Sequence, residues 1–396
     1  MIKNQTNVNL NSDLTDSFDG IVSLSSGNIQ TLTDLNNNIY LSFYTNSLLW
    51  SCGYNNPTVN RDINQCVKSY RNKPVDVSAL LSSLSDQLKP HLSKKLTATY
   101  FESQSLYPRI LKALLSKRNK TEFLCLEKID AYFPKEFKNK IFSLKEWIND
   151  DPNAKTETLQ NSVFPEIKTI KIILKKHRST LAGCIINPII LRTASIAKKE
   201  KLEPFLVLLQ KYNIPIIWDD SIAGFYRTGP DFSYKTYGIQ PDILIYDGTL
   251  YNHRSVHFTC LTKKIDKLFT DKESHIKAED IPNYIMLKAL ISFMESSDLT
   301  KNTHALGIRM IGKLRALEAN SGQEFTIKGK GLVLFINFKT EARCNEFILF
   351  MKDKGILVKK FTPNPLFVFI YPPLIITEKN IDEIVEYFKE FFNQPA

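Results

Sequence analysis

Apolar residues in the central part of the chain form short continuous runs, separated by a segment with helical spacing. The runs span 181–186, 214–218, 241–246 and 256–261, and a helical pattern covers 202–212. Strands that are apolar on both faces, alternating with helices, are typical of a mostly parallel sheet covered by helices. The pattern therefore predicts an α/β fold built on a large, mostly parallel sheet.

Both ends of the chain have a different pattern, which predicts a smaller α+β domain. Residues 27–44 alternate apolar and polar positions around Asn36-Asn37-Asn38, which predicts a hairpin. After long helical patterns over 281–296 and 302–320, strand and helix patterns alternate to the C-terminus. We predict a polar N-terminal arm over 1–26, an N-terminal part of the small domain over 27–60, a large domain over 61–300 and a C-terminal small domain over 301–396.

Composition favours a globular protein of the cytoplasm. The chain has 396 residues, of which 43% are hydrophobic and 23% charged. No apolar run reaches the roughly 18 residues that span a bilayer, and residues 1–19 lack the pattern of a secretory signal. The six cysteines form no C-x-x-C pair and no metal-ligand spacing with histidine, so we expect reduced thiols and no metal site.

The net charge of +11 raises the question of an anionic partner. The basic clusters are short and separated along the chain, at 117–120, 175–178, 198–201 and 263–264. A nucleic-acid-binding surface would concentrate its lysines and interleave aromatic residues with them. A nucleic-acid partner is therefore not expected, and binding of a polyanion stays as an alternative.

Segment 216–229 has the sequence IIWDDSIAGFYRTG, which resembles the D-E-[VI]-x-x-G-F-G-R-T-G signature of class III pyridoxal-phosphate (PLP) aminotransferases. Further family landmarks are the GYNNP turn at 53–57, GKGL at 329–332 and YPPL at 371–374. The resemblance implies the PLP-dependent transferase fold type I and a dimer with active sites at the subunit interface. Within the family, IAGF at 222–225, GYN at 53–55 and MESSD at 294–298 are most similar to diaminopelargonate aminotransferase of biotin synthesis.

The resemblance places Gly248 where the family has its catalytic lysine. A transaminase needs a primary amine that forms an imine with the cofactor, and glycine has neither a nucleophile nor a base. Lys235 and Lys263-Lys264 flank neighbouring strands, and we do not expect them to reach the site. His253 could move protons but cannot form a stable imine.

The cofactor positions are also altered. Asp219 matches the family carboxylate that holds the proton on the pyridine nitrogen, although it could equally bond backbone amides at the strand end. Ser103, Gln104 and Ser105 match the phosphate-binding turn, where Gln104 replaces a glycine and Glu102 adds negative charge. The alternative for the two serines is capping of a helix.

Other positions of this sequence also differ from the family pattern. Phe369 replaces an arginine that holds the substrate carboxylate in many members, and Lys359 could take over as a point charge. The remaining departures are the ring-stacking turn at Asp130-Ala131-Tyr132, Asn187-Pro188 in place of E-P, Leu191-Arg192-Thr193 in place of glycines, and Ile276-Lys277 near the cross-subunit threonine.

These changes lead to three hypotheses. The first is a catalytically degenerate homologue, a pseudoenzyme with lost or weakened PLP binding. It would act as a homodimer, as a heterodimer with a paralogue, or by binding a small molecule. The second is an active transaminase of the biotin-synthesis type with a relocated catalytic group. The third is a binding module for another ligand or a polyanion.

Overall fold

The structure is a computed structural model, and all structural statements below concern the residues that it describes. These are residues 22–45, 47–70, 74–126, 135–144, 146, 166–190, 194–251, 254–269, 272–320, 324–361 and 364–393. The arm up to residue 21, His253 and the two departures at 130–132 and 191–193 lie outside the described residues. No helix within these ranges is long and apolar enough to cross a bilayer.

Helices and strands alternate along most of the chain. The helices are α1 (Leu48–Ser51), α2 (Pro57–Tyr70), α3 (Val77–Leu88), α4 (Tyr107–Arg118), α5 (Ile167–His177), α6 (Lys199–Lys211), α7 (Lys263–Asp266), α8 (Ile281–Ser296), α9 (Leu299–Asn320), α10 (Glu341–Asp353) and α11 (Glu378–Asn393). The strands are β1 (Leu24–Asn28), β2 (Thr31–Asp34), β3 (Ile39–Ser42), β4 (Leu96–Glu102), β5 (Glu122–Cys125), β6 (Ile141–Ser143), β7 (Leu181–Ile186), β8 (Ile189–Ile190), β9 (Ser195–Ile196), β10 (Ile216–Asp219), β11 (Ile243–Tyr251), β12 (Arg254–Thr262), β13 (Phe325–Lys330), β14 (Val333–Phe338), β15 (Ile356–Leu357), β16 (Lys359–Lys360) and β17 (Phe367–Ile370).

A seven-stranded central sheet has the order β4-β12-β11-β10-β7-β5-β6. Strand β12 is antiparallel to both of its neighbours, and the other neighbouring pairs are parallel. Every residue of β7 is buried, as expected for a strand covered on both faces. The predicted α/β fold with a mostly parallel sheet is confirmed.

Strand β11 is longer than the sequence predicts. The apolar run ends at Tyr246, but β11 continues to Tyr251 and pairs with β12 along its whole length. Gly248 pairs with Val256 in this ladder. Residues 247–249 are Asp, Gly and Thr, so no apolar side-chain pattern indicates this part of the strand. Backbone pairing with β12 extends the strand through these residues. The position that the resemblance assigns to the catalytic lysine therefore lies inside a strand in this chain.

The N-terminal and C-terminal parts of the chain share one sheet. Strand β3, from the predicted hairpin, pairs antiparallel with β2 and parallel with β15. Oδ1 of Asp34 accepts hydrogen bonds from the amides of Asn36 and Asn38, both at 2.8 Å, which closes the hairpin turn. Strand β1 spans Leu24–Asn28, so it overlaps the last residues of the polar arm predicted over 1–26. A second small sheet has the order β13-β14-β17-β16.

Arg227 joins three distant parts of the chain in the core. Its guanidinium donates hydrogen bonds to the carbonyl oxygen of Pro372 and, at 2.6 Å, to Oγ1 of Thr45. It also lies 3.7 Å from the ring centroid of Tyr371, and the side chain is buried. A buried charge is tolerated only where such partners replace water, so Arg227 depends on all of these contacts.

We predict that Arg227→Ala lowers the free energy of unfolding by about 2–4 kcal/mol, because two buried acceptors lose their donor. Arg315→Ala removes an exposed arginine and should change the free energy of unfolding by less than about 0.5 kcal/mol. Urea denaturation of both variants measures the difference, and equal effects would contradict the assigned role.

His91 bridges two carboxylates between different elements. Its Nδ1 lies 3.0 Å from Oδ2 of Asp231, and its Nε2 lies 2.8 Å from Oε1 of Glu295, near the end of α8. Lys235 pairs with Asp231 from the other side, and the ring of Tyr226 contacts the imidazole edge-on. The hydrogen bond to Asp231 raises the pKa of His91, and Glu295 adds to this effect.

This raised pKa predicts a pH-dependent contribution to stability. Below about pH 6.5, the ordinary histidine pKa, His91 is charged in the folded and the unfolded chain, and its ion pairs contribute fully. The contribution is lost as the pH rises through the folded pKa. We therefore expect the difference in unfolding free energy between the native chain and His91→Gln to be largest at low pH and to shrink above neutrality. A difference that is constant with pH would exclude the charged bridge.

Candidate functional site

A cavity of about 490 Å³ opens at the carboxyl ends of the parallel strands, where open α/β sheets commonly bind ligands. We call it the cleft. Residues of the central sheet line it at Asp219, Asp247 and Gly248. The small sheet contributes Lys359 and Phe369. The structure thus brings together five of the positions singled out in the sequence, namely Asp219, Gly248, Lys359, Phe369 and Asn187.

Asp219 ends β10 and is held by groups of the chain itself. Its Oδ1 accepts hydrogen bonds from the amide and hydroxyl of Ser221 at 3.0 and 2.5 Å, and its Oδ2 accepts one from the hydroxyl of Tyr107 at 2.7 Å. Burial raises the pKa of Asp219, and the charge of nearby Asp247 raises it further. Both oxygens therefore have protein donors, and ionisation is disfavoured.

The predicted phosphate-binding turn has other partners. Oγ of Ser103 accepts a hydrogen bond from the amide of Lys277 at 2.8 Å, and Gln104 is exposed. The hydroxyl of Ser105 donates to a carboxylate oxygen of Asp247 and accepts from the amide of Tyr107 at 3.3 Å, at the start of α4. The N-cap residue of α4 is Leu106, without a side-chain cap, and Ser103 binds a different segment. None of the three residues lines the cleft.

Acidic side chains surround this turn. Asp247, His257 and Glu102 occupy paired positions on β11, β12 and β4, so they form a row across one face of the sheet. Nδ1 of His257 lies 3.1 Å from Oδ1 of Asp247, and Arg109 pairs with Glu102. The carboxylate of Asp247 thus lies against Ser105, in the turn that the resemblance assigns to phosphate binding, and Glu102 is paired with Arg109.

The opposite face of the same strands carries an aromatic row. Tyr246, Phe258 and Phe101 occupy paired positions, and the rings of Tyr246 and Phe258 stack with centroids 5.3 Å apart. Phe225 packs edge-on against Tyr246 at 4.7 Å. Because Gly248 is two residues from Tyr246, both face the same side. A Cβ atom at Gly248 would lie 2.4 Å from Cζ and from the hydroxyl oxygen of Tyr246. Tyr246 therefore fills the space that a side chain at 248 needs.

Few cations border the cleft. In the described part of the chain these are Arg227, Lys359 and Lys360, and the ammonium group of Lys360 pairs with Glu341 at 2.6 Å. Lys235 instead pairs with Asp231, and Lys263-Lys264 lie at the opposite edge of the central sheet. The described residues contain no His, Cys, Asp and Glu cluster with metal-site geometry.

Four residues of the site were missed by the sequence analysis: Tyr107, Tyr246, Asp247 and His257. Asp247 and Tyr246 were visible beside Gly248, but only the extension of β11 shows which face each one occupies. Tyr107 and His257 reach the site through α4 and β12, and no local pattern signals this.

A family model described as Aminotransferase class-III matches residues 128–392. The chain belongs to this family. It is 24% identical over 248 residues to the uncharacterized aminotransferase YhxA of Bacillus subtilis, covering 56% of this chain and 54% of the relative. It is 27% identical over 201 residues to taurine–pyruvate aminotransferase of Bilophila wadsworthia, covering 45% and 44%. The matches thus span about half the length of these curated relatives.

Solved structures share the fold over most of the chain. Ornithine delta-aminotransferase of Plasmodium falciparum superposes with a TM-score of 0.73 at 16% identity, over 94% of this chain and 92% of that one. Acetylornithine aminotransferase of Elizabethkingia anophelis gives 0.74 at 16% identity, over 94% of both chains. The predicted class III membership and the PLP-dependent fold type I are confirmed.

Class III aminotransferases depend on PLP, and the residues of this chain do not fit the cofactor. Position 248 offers no amine, and Tyr246 occupies the room beside it. In the turn that the resemblance assigns to phosphate binding, Ser105 donates to Asp247, so a phosphate dianion would meet the Asp247 carboxylate. Asp219 keeps its family position, but its pKa is raised by burial and by Asp247.

We predict that Gly248→Ala destabilises the protein by about 1–3 kcal/mol, because the added Cβ overpacks against Tyr246. A glycine-to-alanine change in an uncrowded strand should instead be neutral or stabilising. The same substitution in a Tyr246→Leu background should cost less, and urea denaturation of all four variants gives the coupling between the two positions. Equal costs in both backgrounds would show that Tyr246 does not fill the site.

Proposed function

We propose that this class III homologue does not catalyse transamination and acts by binding, with PLP affinity lost or weakened. The observation that carries the proposal is the pair formed by Gly248 and Tyr246. A missing lysine alone could reflect a recent loss, but a buried aromatic ring in its place belongs to a repacked core. The site is consistent with a protein that no longer needs an amine there.

The row formed by Asp247, His257 and Glu102 supports the same proposal independently. Asp247 places a carboxylate against Ser105, on a sheet face separate from the aromatic row, while Glu102 on the same face is paired with Arg109. Two different parts of the cofactor would therefore lose their partners, the imine carbon and the phosphate group. The changes lie on both faces of β11. This favours relaxed or altered selection on the whole site over a single local change.

A second candidate is an active transaminase with a relocated amine, and one observation favours naming it. Lys359 lines the cleft from β16, across from Asp219 and Gly248. Under the leading proposal, Lys359 holds an anionic group of a small-molecule ligand as a point charge. Under the second, it replaces the lysine missing at 248.

The finer assignments are also proposals. Descent from the biotin-synthesis enzyme is supported by the motifs at 222–225, 53–55 and 294–298. Assembly as a homodimer, or with an active paralogue, is supported by the intact fold, since the domains that such a contact would use are both present. The relatives that match carry names of active aminotransferases, so activity must be tested directly.

The decisive test is incubation of the purified protein with PLP, borohydride reduction, dialysis, and mapping of the adduct by mass spectrometry. We expect no retained visible imine band and no stoichiometric lysine adduct, because no described amine is positioned at 248. An acetylornithine aminotransferase treated in parallel provides the positive control.

The outcomes separate the two candidates. A stoichiometric adduct on Lys359, abolished in Lys359→Gln, together with amino transfer to a keto acid, would establish the relocated amine. Scattered substoichiometric labelling of surface lysines, equal in both proteins, would support the non-catalytic assignment.

A further inference from the structure

The edge of the central sheet opposite the cleft collects most of the chain's excess positive charge. Strands β4, β5, β6, β7, β10 and β11 all begin at this edge, and the antiparallel β12 ends there. The chain segments that enter or leave the sheet at these points therefore lie side by side. We call this set of segments the basic edge, formed by residues 94–95, 117–122, 135–140, 175–180, 211–215, 240–242 and 262–267.

The charge of the basic edge equals that of the whole protein. Its segments contain fifteen Lys and Arg residues and four Asp and Glu residues, which gives a formal charge of +11, and the complete chain also carries +11. The rest of the molecule is thus neutral in sum. Three of the four basic clusters that are far apart in sequence lie along this edge, at 117–120, 175–178 and 263–264. The fourth, at 198–201, lies at the start of α6.

Three of the four acidic residues at this edge have partners of their own. Asp266 is bound by Lys272 and by the hydroxyl of Tyr100, at 2.6 and 2.5 Å. Glu122 accepts a hydrogen bond from Thr180 at 2.8 Å, and Asp242 accepts one from the amide of Ile216 at 3.0 Å. These carboxylates are held in place within the fold, and their charges are already included in the sum of +11.

The segments are fixed to one another, which makes the edge a preformed surface. Lys120 donates hydrogen bonds from Nζ to the carbonyl oxygens of Arg178 and Ser179, at 3.1 and 2.6 Å. Arg118 donates to the carbonyl oxygens of Ala182 and Asn213, at 3.3 and 3.2 Å. These bonds join the segments before β5, β7 and β10. Most of the other cations are exposed, and they include Lys94, Lys95, Lys117, Lys140, Lys175, Arg178, Lys211, Lys263, Lys264 and Lys267.

The length of this surface suits a linear polyanion. Seven strands are separated by six spacings of about 4.8 Å, so the row spans roughly 29 Å. A nucleic-acid duplex covers that length in roughly eight base pairs, at about 3.4 Å each. A cation row on this scale can neutralise several phosphates of a duplex and release their counterions.

The residue types favour phosphates over a membrane surface or stacked bases. The aromatic residues of the basic edge, Phe137 and Tyr212, are not exposed, so it offers no stacking platform. The exposed large apolar residues of α5 and α6, Ile167, Ile172 and Val207, lie within these helices and outside the segments of the basic edge. A membrane-binding surface would carry apolar residues among its lysines.

We propose that the basic edge binds double-stranded nucleic acid through its phosphate backbone, without sequence preference. This inference does not depend on the proposed function of the cleft, because the edge and the cleft lie at opposite ends of the parallel strands. Failure of one proposal therefore leaves the other unaffected.

The test measures the fluorescence anisotropy of a labelled DNA duplex, and of the corresponding RNA duplex, between about 50 and 200 mM salt. We expect log K to fall linearly with log salt for at least one duplex. The variant Lys117→Gln/Lys175→Gln/Lys264→Gln should reduce the salt slope by about 1 for each lysine. Its affinity at the lowest salt should fall roughly tenfold or more.

A matched control removes three charges from elsewhere on the same layer of helices. Lys168→Gln/Lys199→Gln/Lys201→Gln alters the beginnings of α5 and α6, roughly 15 Å along each helix from the basic edge. This variant should keep the salt slope, and thermal unfolding verifies that both variants are folded. Equal losses in the two variants, no duplex binding at the lowest salt, or binding to phosphatidylserine vesicles without binding to either duplex would each overturn the proposal.

Discussion

The pairing of β11 with β12 beyond Tyr246 is the constraint on which the cleft depends. In an antiparallel ladder successive side chains point to opposite faces, so Tyr246 and Gly248 share one face and Asp247 takes the other. The first face supports the aromatic packing of Tyr246 on Phe258, and the second supports the contact between Asp247 and His257. A lysine at 248 would displace a buried ring from its neighbours. The backbone pairing therefore places Gly248 and the packed ring of Tyr246 on one face of the sheet.

The main elements of the fold could be predicted from the sequence because they depend on local patterns. Buried strands such as β7 are continuous apolar runs, and α8 was predicted with its observed bounds. The signature around Asp219 was sufficient to indicate the family, and the absence of the lysine followed from its register. In each case the information lies within a few consecutive residues, where side-chain periodicity or a motif records it.

The parts that could not be predicted are set by contacts between distant residues. The second half of β11 exists because β12 pairs with it, although its own residues are polar. Arg227 was recognised as a signature residue, but its partners Thr45 and Pro372 come from the two ends of the chain. The basic clusters were separated in sequence, and only the strand order shows which of them meet. Pairing between distant segments determines where these residues lie, and the pattern of one sequence does not contain this information.

The signature residues Arg227 and Asp220 hold the fold through contacts that need no side chain at position 248. Arg227 and Asp220 are buried and bonded to backbone and hydroxyl groups that do not contact position 248. Tyr226 even keeps a left-handed backbone, with φ of 67°, at a glycine position of the family signature, so the turn survives an unfavourable residue. Catalytic groups are commonly retained at some cost to stability. With glycine at 248, the ring of Tyr246 packs into the space that a side chain there would take.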